Sequence, residues 1–151
     1  DAGVDVVSFG GTKAGLLGGE AVVYLDAALA QRAKYVRKMV NQLPSKMRFV
    51  AAQFNALLDD DLWIKGAQHS NQMALQLYEA TRHIPGVEFD HAPQVNSLFP
   101  QLPADAIAAL CDWCFFWDWD ISRRQVRWMT AWDTTADDVD RFAAGVRHLL
   151  G

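Results

Sequence analysis

The fold is decided first by the stretch Gly3-Val-Asp-Val-Val-Ser-Phe-Gly-Gly-Thr-Lys-Ala-Gly-Leu-Leu-Gly-Gly-Glu-Ala-Val-Val-Tyr-Leu-Asp26. Residues 4–9 and 20–25 are short apolar runs of the kind that form buried strands. A glycine-rich turn that carries Lys13 joins them. Because a ribbon of two strands is only marginally stable, we expect these strands to be the end of a larger sheet.

Beyond residue 26 the apolar positions recur at helical spacing. We predict a helix from residue 27 that must stop at Pro44, a second over residues 46–58, and a third from about Trp63 that stops before Pro85. The first helix should bury an apolar stripe made of Leu29, Ala33, Val36 and Val40.

Shorter elements follow in the second half of the chain. Residues 87–89 and 94–99 are candidate strands, and Pro103 can open a helix. The core face of that helix should hold Ile107, Leu110 and Cys114. Two further strands, at 115–119 and 126–132, have a hairpin pattern.

A final helix should begin at the capping signal formed by Thr135 and Asp138. Its buried face should consist of Val139, Phe142, Val146 and Leu149. Residues 27–151 therefore predict an α+β fold, with a small and mostly antiparallel sheet covered by helices.

Composition limits the classes of function. The chain has 151 residues, 51% of them hydrophobic, which suits one globular domain with a real core. Its net charge of −4 provides no basic surface for nucleic acid or anionic lipid. No apolar run is long enough to cross a membrane, and residues 1–9 lack a secretory signal pattern. The cytoplasm is the expected location.

Lys13 is the first candidate functional residue, because a glycine turn directly after a buried strand can direct a side chain into a cleft. A lysine that forms a Schiff base must spend time as a neutral amine, which a desolvating wall of strands favours. The glycines would let the backbone approach a planar ligand closely. On the turn alone, a solvated hairpin lysine is the alternative.

The complete stretch from Gly3 to Asp26 closely resembles the cofactor-lysine segment of low-specificity L-threonine aldolases and their β-eliminating lyase relatives. These enzymes use pyridoxal 5'-phosphate (PLP) and have the aspartate-aminotransferase-like fold. The resemblance implies that Lys13 is the Schiff-base lysine and that Thr12 lies in the cofactor site. Many relatives carry asparagine where this sequence has Ala14.

Two further segments resemble the same family. Tyr35-Val-Arg-Lys-Met-Val followed by Ser45-Lys-Met-Arg48 implies that Lys38 and Arg48 lie near the cofactor, where cations favour a phosphate dianion. Two solvated helix cations are the alternative. Val126-Arg-Trp-Met-Thr130 implies that Arg127 holds the substrate α-carboxylate through two parallel hydrogen bonds.

Smaller departures and matches accompany these segments. Relatives often have a histidine where this sequence has Ala131. Asn96 matches a recurring position of the family, with a role as readily structural as functional. An exposed, solvated arginine is the alternative for Arg127.

Other patterns are weaker. Cys111 and Cys114 have redox or zinc-ligand spacing, but no second cysteine pair exists and they fall late in a helix, so we expect two buried, reduced thiols. Neither the four histidines nor the acidic run 59–61 has a metal-ligand pattern, so no metal is expected. Four of the six tryptophans fall between residues 113 and 128, which suits a packed hairpin or a subunit interface.

The resemblance implies a PLP-dependent lyase that cleaves β-hydroxy-α-amino acids such as threonine to glycine and an aldehyde. It implies the final strands of a large domain at 1–26, linking helices at 27–58 and a small α+β domain at 59–151. It also implies a homodimer or homotetramer and an additional amino-terminal half, without which we expect no activity. A β-eliminating lyase, an aminotransferase and a non-catalytic dimerisation domain are the alternatives.

Overall fold

The computed structural model describes residues 2–41 and 43–151. The chain divides into two compact units, Asp1–Trp63 and Ile64–Gly151. Helices and small antiparallel sheets make up the structure, so the predicted mixed fold class is confirmed. None of the helices in the described ranges combines the length and apolar character that a membrane crossing needs.

The first unit begins with the predicted antiparallel pair of strands. Strand β1, Val6–Gly10, pairs with β2, Glu20–Tyr24, so that Val6 lies opposite Tyr24. The expectation that both strands are buried is wrong here, since the valines of both strands are exposed. The reason is that the ribbon packs on a helix near Phe9, whose ring centroid lies 5.8 Å from that of Phe54, while its valines have no cover within the unit.

Three helices follow the ribbon: α1, Ala27–Ala30, α2, Ala33–Asn41, and α3, Met47–Leu58. The second prediction, 46–58, agrees with α3 within one residue. The single helix predicted from residue 27 is instead interrupted between α1 and α2. Its predicted end before Pro44 includes residue 42, which lies outside the described residues. The apolar stripe predicted for it is exposed at Leu29, Val36 and Val40.

A sharp turn separates α3 from the next helix. Asp60 and Asp61 have φ values of 49° and 56°, a left-handed conformation that is uncommon outside glycine but tolerated by aspartate. These carboxylates are exposed.

The second unit is a three-stranded sheet packed on three helices. After the long helix α4, Leu62–Thr81, come strand β3, Ser97–Leu98, helix α5, Ala104–Trp113, strands β4, Trp117–Asp120, and β5, Gln125–Met129, and helix α6, Ala136–Leu150. The strand order is β3-β5-β4, with antiparallel pairs throughout, so the predicted hairpin of β4 and β5 is confirmed.

The strands of this unit are shorter than the sequence predicted. In place of strands at 87–89 and 94–99 there are β3 and an isolated bridge between Glu88 and Gln101. Strand β5 ends at Met129 and not at Trp132. The carbonyl of the next residue, Thr130, accepts from the side chain of Asn96, and its hydroxyl donates to Ser70 of α4.

The core of the second unit lies between the inner face of the sheet and the helices. Val126 and Trp128 of β5 are buried against side chains from α4, α5 and α6, which include Met73, Leu77, Leu110, Val139 and Val146. Two predicted core residues are wrong: Cys114 and Leu149 are exposed. Cys114 is the C-cap of α5, where the chain turns to extended conformation, and Leu150 packs on the core in place of Leu149.

Helix α6 begins with the predicted capping box. Asp138 N donates to Thr135 Oγ1 at 3.1 Å, and Thr135 N donates to Asp138 Oδ2 at 3.0 Å. Hydrogen bonds from the Thr135 side chain and backbone, together with Arg141, lower the pKa of Asp138 to about 2. Because the pKa of Asp138 in the folded state is below its ordinary value of 3.8, the ionised carboxylate stabilises the folded state at pH values above 3.8. This stabilisation is lost as the pH falls through about 2.

We expect Thr135→Ala to lower the free energy of unfolding by about 1 kcal/mol, because the N-cap oxygen is lost. Thr135→Ser keeps that oxygen and should stay within about 0.5 kcal/mol of wild type. Urea denaturation at neutral pH measures both. Equal destabilisation by Ala and Ser would show that the threonine methyl group, and not the cap, stabilises this end of α6.

Candidate functional site

The loop between β1 and β2 carries Lys13 on a tight 3-10 turn, Thr12–Ala14. Gly11 N donates to Gly19 O at 2.9 Å and closes the loop at its base. Gly15 follows the turn with a φ of 100°, which glycine adopts without steric strain. Lys13 therefore stands on a turn with its own hydrogen bonds, and not at the tip of an open loop.

Helix α3 supports this loop from one side. Leu17 N donates to the side-chain Oε1 of Gln53 at 2.9 Å. At Gly19, a Cβ atom would lie 2.9 Å from Phe54 Cε2 and 3.0 Å from Val50 Cγ1, so the backbone can approach the helix this closely only without a side chain. The position of the lysine turn thus depends on α3.

Two glycines of the loop leave room for side chains of the same segment of the chain. A Cβ at Gly11 would lie 2.3 Å from Leu16 Cδ1, and one at Gly10 would lie 2.9 Å from Glu20 Oε2. The space beside these glycines is filled by the chain itself. The expectation that they admit a planar ligand is therefore wrong at Gly11, whereas the carboxylate beside Gly10 is the end of a flexible side chain and the space around Gly18 is open.

Lys13 and Thr12 are both exposed. None of the salt bridges among the described residues includes Lys13. The desolvating wall of strands that the sequence predicts around this lysine is therefore not present among the described residues, and the amine is open to an aldehyde cofactor.

Lys38 and Arg48, the other two cations predicted for the cofactor site, lie on neighbouring helices of the first unit. Lys38 is in the last turn of α2 and Arg48 is in the first turn of α3, and both are exposed. A cation at a helix N-terminus opposes the helix dipole, and α3 has no acidic residue in its first turn to offset it. No hydrogen bond or ion pair joins either cation to Lys13 within the described ranges.

Arg127 lies in the second unit, on the face of β5 opposite the core. It is half-buried, and its Cζ lies 5.7 Å from the ring centroid of Trp119. Its Nε is buried and has no hydrogen-bond partner among the described residues. Arg82, Arg123 and Arg141, by contrast, each form a salt bridge. Trp128 Nε1, in the core, is buried without a partner as well, so the terminal nitrogens of Arg127, and not its Nε, are the donors that remain for a ligand.

Asn96 has a structural role. Its Nδ2 donates to Thr130 O at 2.7 Å, and Thr130 N donates back to Asn96 O at 3.1 Å. The hydroxyl of Thr130 donates to Ser70 O of α4 at 2.7 Å. These bonds tie the end of β5 to α4 and fix the backbone just after Arg127.

The cysteines differ from their prediction. Cys111 is half-buried, with Sγ 3.5 Å from Phe116 O, and Cys114 is exposed, so the expectation of two buried thiols is wrong for Cys114. Both are free. In the part of the chain that the structure describes, no three histidine, cysteine or acidic side chains are grouped to hold a metal ion.

Sequence reasoning missed Gln53 and Trp119. Gln53 gave no signal, because its contact with the lysine loop spans 36 positions. Trp119 could have been found, because the alternation of the predicted hairpin places it on the same face as Arg127.

We expect Gly19→Ala to displace the lysine loop, because the new methyl group would overlap Phe54 and Val50 and the φ of 154° disfavours any side chain. The change should lower the free energy of unfolding by roughly 1–3 kcal/mol. Gly18→Ala is the matched control, because a Cβ there meets nothing within 4 Å. Urea denaturation of both variants checks this, and equal stabilities would contradict the close approach to α3.

Comparison with known proteins finds that the chain is similar to threonine aldolases. A low specificity L-threonine aldolase of Pseudomonas aeruginosa is 40% identical over 152 residues, which cover 99% of this chain and 43% of the relative. A second, from a Pseudomonas species, is 38% identical over 151 residues with the same coverage. The solved structure of a threonine aldolase of Leishmania major superposes with a TM-score of 0.84 at 29% identity, over 97% of this chain and 44% of that one.

No protein-family model matches the chain. The chain spans 43% of the length of the curated relatives that it matches.

Proposed function

We propose that this chain, which belongs to the threonine aldolase family, is part of a PLP-dependent lyase that cleaves β-hydroxy-α-amino acids such as threonine to glycine and an aldehyde. The observation that carries the proposal is similarity to two low specificity L-threonine aldolases along 99% of the chain. The TM-score of 0.84 to a third threonine aldolase supports it independently, since it compares the backbone fold.

We assign a part of the active site, and not the whole, to these 151 residues. The chain spans 43% of the length of its curated relatives, which leaves more than half of their sequence without a counterpart here. Groups that stack on the cofactor ring, pair with its pyridine nitrogen and bind most of its phosphate belong to that remainder in our proposal. The regions 1–26, 27–58 and 59–151 would then be the end of a large domain, the linking helices and the small domain.

Lys13 would hold the cofactor through its side-chain amine. The hydrogen-bonded turn and its support by α3 would keep that amine in one place, which lowers the entropic barrier of the reaction. When bound, PLP supplies an electron sink for the bond that breaks at the substrate Cα. Thr12 would add a hydroxyl beside the lysine, and Lys38 and Arg48 would offer positive charge to the cofactor phosphate.

Arg127 would bind and orient the substrate α-carboxylate. Its guanidinium makes no salt bridge among the described residues, so its donors are not committed elsewhere in that part of the chain. Because Nε is enclosed, the carboxylate should approach the two terminal nitrogens, which form a planar pair of donors. This contact would fix the amino acid relative to the cofactor.

We also propose that the protein forms a homo-oligomer and is located in the cytoplasm. Large apolar side chains stand exposed on β4 and its flanks, namely Phe115, Trp117, Trp119 and Ile121. Exposed patches of this kind usually mark a binding surface. We propose a homodimer or homotetramer, whose mass in solution can be measured by light scattering.

We expect borohydride to trap PLP on Lys13 in the native protein, after intact-mass analysis has established its length. Peptide mapping should find the phosphopyridoxyl group on the Lys13 peptide and should not find it in Lys13→Ala. That variant should lose activity by roughly 100-fold or more, the scale for losing a positioned catalytic group. Lys65→Ala, which removes another exposed lysine, is the control and should retain label and activity.

Product analysis of the same preparation separates the reactions. Glycine and an aldehyde indicate aldol cleavage, whereas ammonia and a keto acid would indicate β-elimination, and a new amino acid from an added keto acid would indicate transamination. A protein of the relatives' length that binds no PLP at Lys13 would overturn the cofactor assignment and leave a non-catalytic interaction domain as the explanation.

We expect Arg127→Lys to raise KM for threonine by roughly 10- to 100-fold, because an ammonium cannot reproduce two parallel hydrogen bonds to a carboxylate. Arg124→Lys is the matched control, since Arg124 is an exposed arginine of the adjacent turn. Steady-state kinetics of both variants test the assignment. Identical KM values for Arg127→Lys and wild type would remove Arg127 from the substrate site.

A further inference from the structure

Trp119 occupies an irregular position in the sheet. In the pairing of β4 with β5, Trp117 lies opposite Arg127 and Asp118 lies opposite Val126, but the next pair joins Asp120 to Gln125. Trp119 is therefore the extra residue of a β-bulge. Bulges redirect a side chain from the direction that a regular strand would give it, and they are frequent beside binding sites.

The indole of Trp119 lies next to the guanidinium of Arg127. The ring centroid of Trp119 is 5.7 Å from Arg127 Cζ, within the range of a cation–π contact. The indole ring of Trp119 also packs on the ring of Phe99, with ring centroids 4.9 Å apart. Since Trp119 remains 57% exposed, burial in the core does not explain its position.

This contact differs in kind from an ion pair. Among the described residues the guanidinium makes no hydrogen bond or salt bridge, and Asp120, the nearby acid of β4, accepts from Ser122 and from Arg123 N instead. An aromatic ring binds the face of a guanidinium, whereas its N–H donors point outward in the plane. Trp119 can hold Arg127 while leaving those donors free, which a carboxylate partner could not do.

We propose that Trp119 is the positioning residue for Arg127 and so determines how tightly the enzyme binds the α-carboxylate of its amino acid substrate. The inference rests on the proposed function of Arg127. Trp119 itself need not touch the substrate. Phe99 limits the movement of the indole, the indole limits the movement of the guanidinium, and the guanidinium presents its terminal nitrogens in one orientation.

The test uses the native protein loaded with PLP, and glycine as the probe ligand. Calorimetry measures the Kd of glycine, and kinetics with threonine measure kcat and KM separately. Trp119→Leu should raise the Kd of glycine and the KM of threonine by roughly 3- to 10-fold. The affinity for PLP and kcat should change by less than about twofold, because the positioning acts on ground-state binding.

Two variants distinguish positioning from a general structural effect. Trp119→Phe keeps an aromatic face and should recover most of the glycine affinity. Trp113→Leu is the matched control, because Trp113 is a 53% exposed tryptophan of α5 whose ring stacks on Phe142, with centroids 5.7 Å apart, on the face of the sheet opposite Arg127. That variant should keep the wild-type Kd.

A double mutant tests whether Trp119 acts through Arg127. In an Arg127→Gln background, Trp119→Leu should change the Kd of glycine by less than about twofold, since the group that it positions is absent. If Trp119→Leu does not fold, Trp119→Met removes the ring with a flexible apolar side chain and answers the same question.

Several results would overturn the inference: an unchanged Kd in Trp119→Leu, an equal loss in Trp113→Leu, or an undiminished effect in the Arg127→Gln background. Failure of the proposed function has a different signature. In that case Arg127→Gln itself leaves the Kd of glycine unchanged, whereas a loss at Arg127 without one at Trp119 contradicts the positioning role alone.

Discussion

The second unit depends on the alternation of side chains along β5. Successive residues of a strand point to opposite faces, so burying Val126 and Trp128 against the helices places Arg127 on the outer face. Trp128 is 2% exposed and touches three other aromatic rings, so a slip of one residue would exchange a large apolar core for a charge. The position of the arginine is therefore fixed by the packing behind it.

The lysine loop is fixed in a different way, by the absence of side chains. Gly11 and Gly19 leave room for Leu16 and for α3, and a backbone hydrogen bond between the two glycines closes the loop. A glycine-rich turn in a sequence is often taken as room for a ligand. Here most of that room is used to fold the turn itself, and the lysine is the side chain that it exposes.

Local rules explain which features the sequence could predict. The capping box at Thr135, the bounds of α3 and the hairpin of β4 and β5 follow from short-range patterns and are present. The misplaced features depend on distant contacts. Strand β5 stops at Met129, and the hydroxyl of the next residue, Thr130, bonds to Ser70, sixty positions away, a contact that no local pattern indicates. In the site, similarity to a family led to the proposals for Lys13 and Arg127, whereas the proposal for Trp119 depends on its contact with Arg127, which the structure provides.

Two of the proposed site residues break rules that stability favours. Arg48 is a cation in the first turn of α3, against the helix dipole, and Arg127 has a buried Nε without a partner among the described residues. Folded proteins satisfy such rules nearly everywhere and break them mainly where a ligand is bound. A dianionic phosphate beside Arg48 would make the position of this cation favourable, and a carboxylate would accept hydrogen bonds from the terminal nitrogens of Arg127. Each departure therefore agrees with the anionic group proposed for that residue.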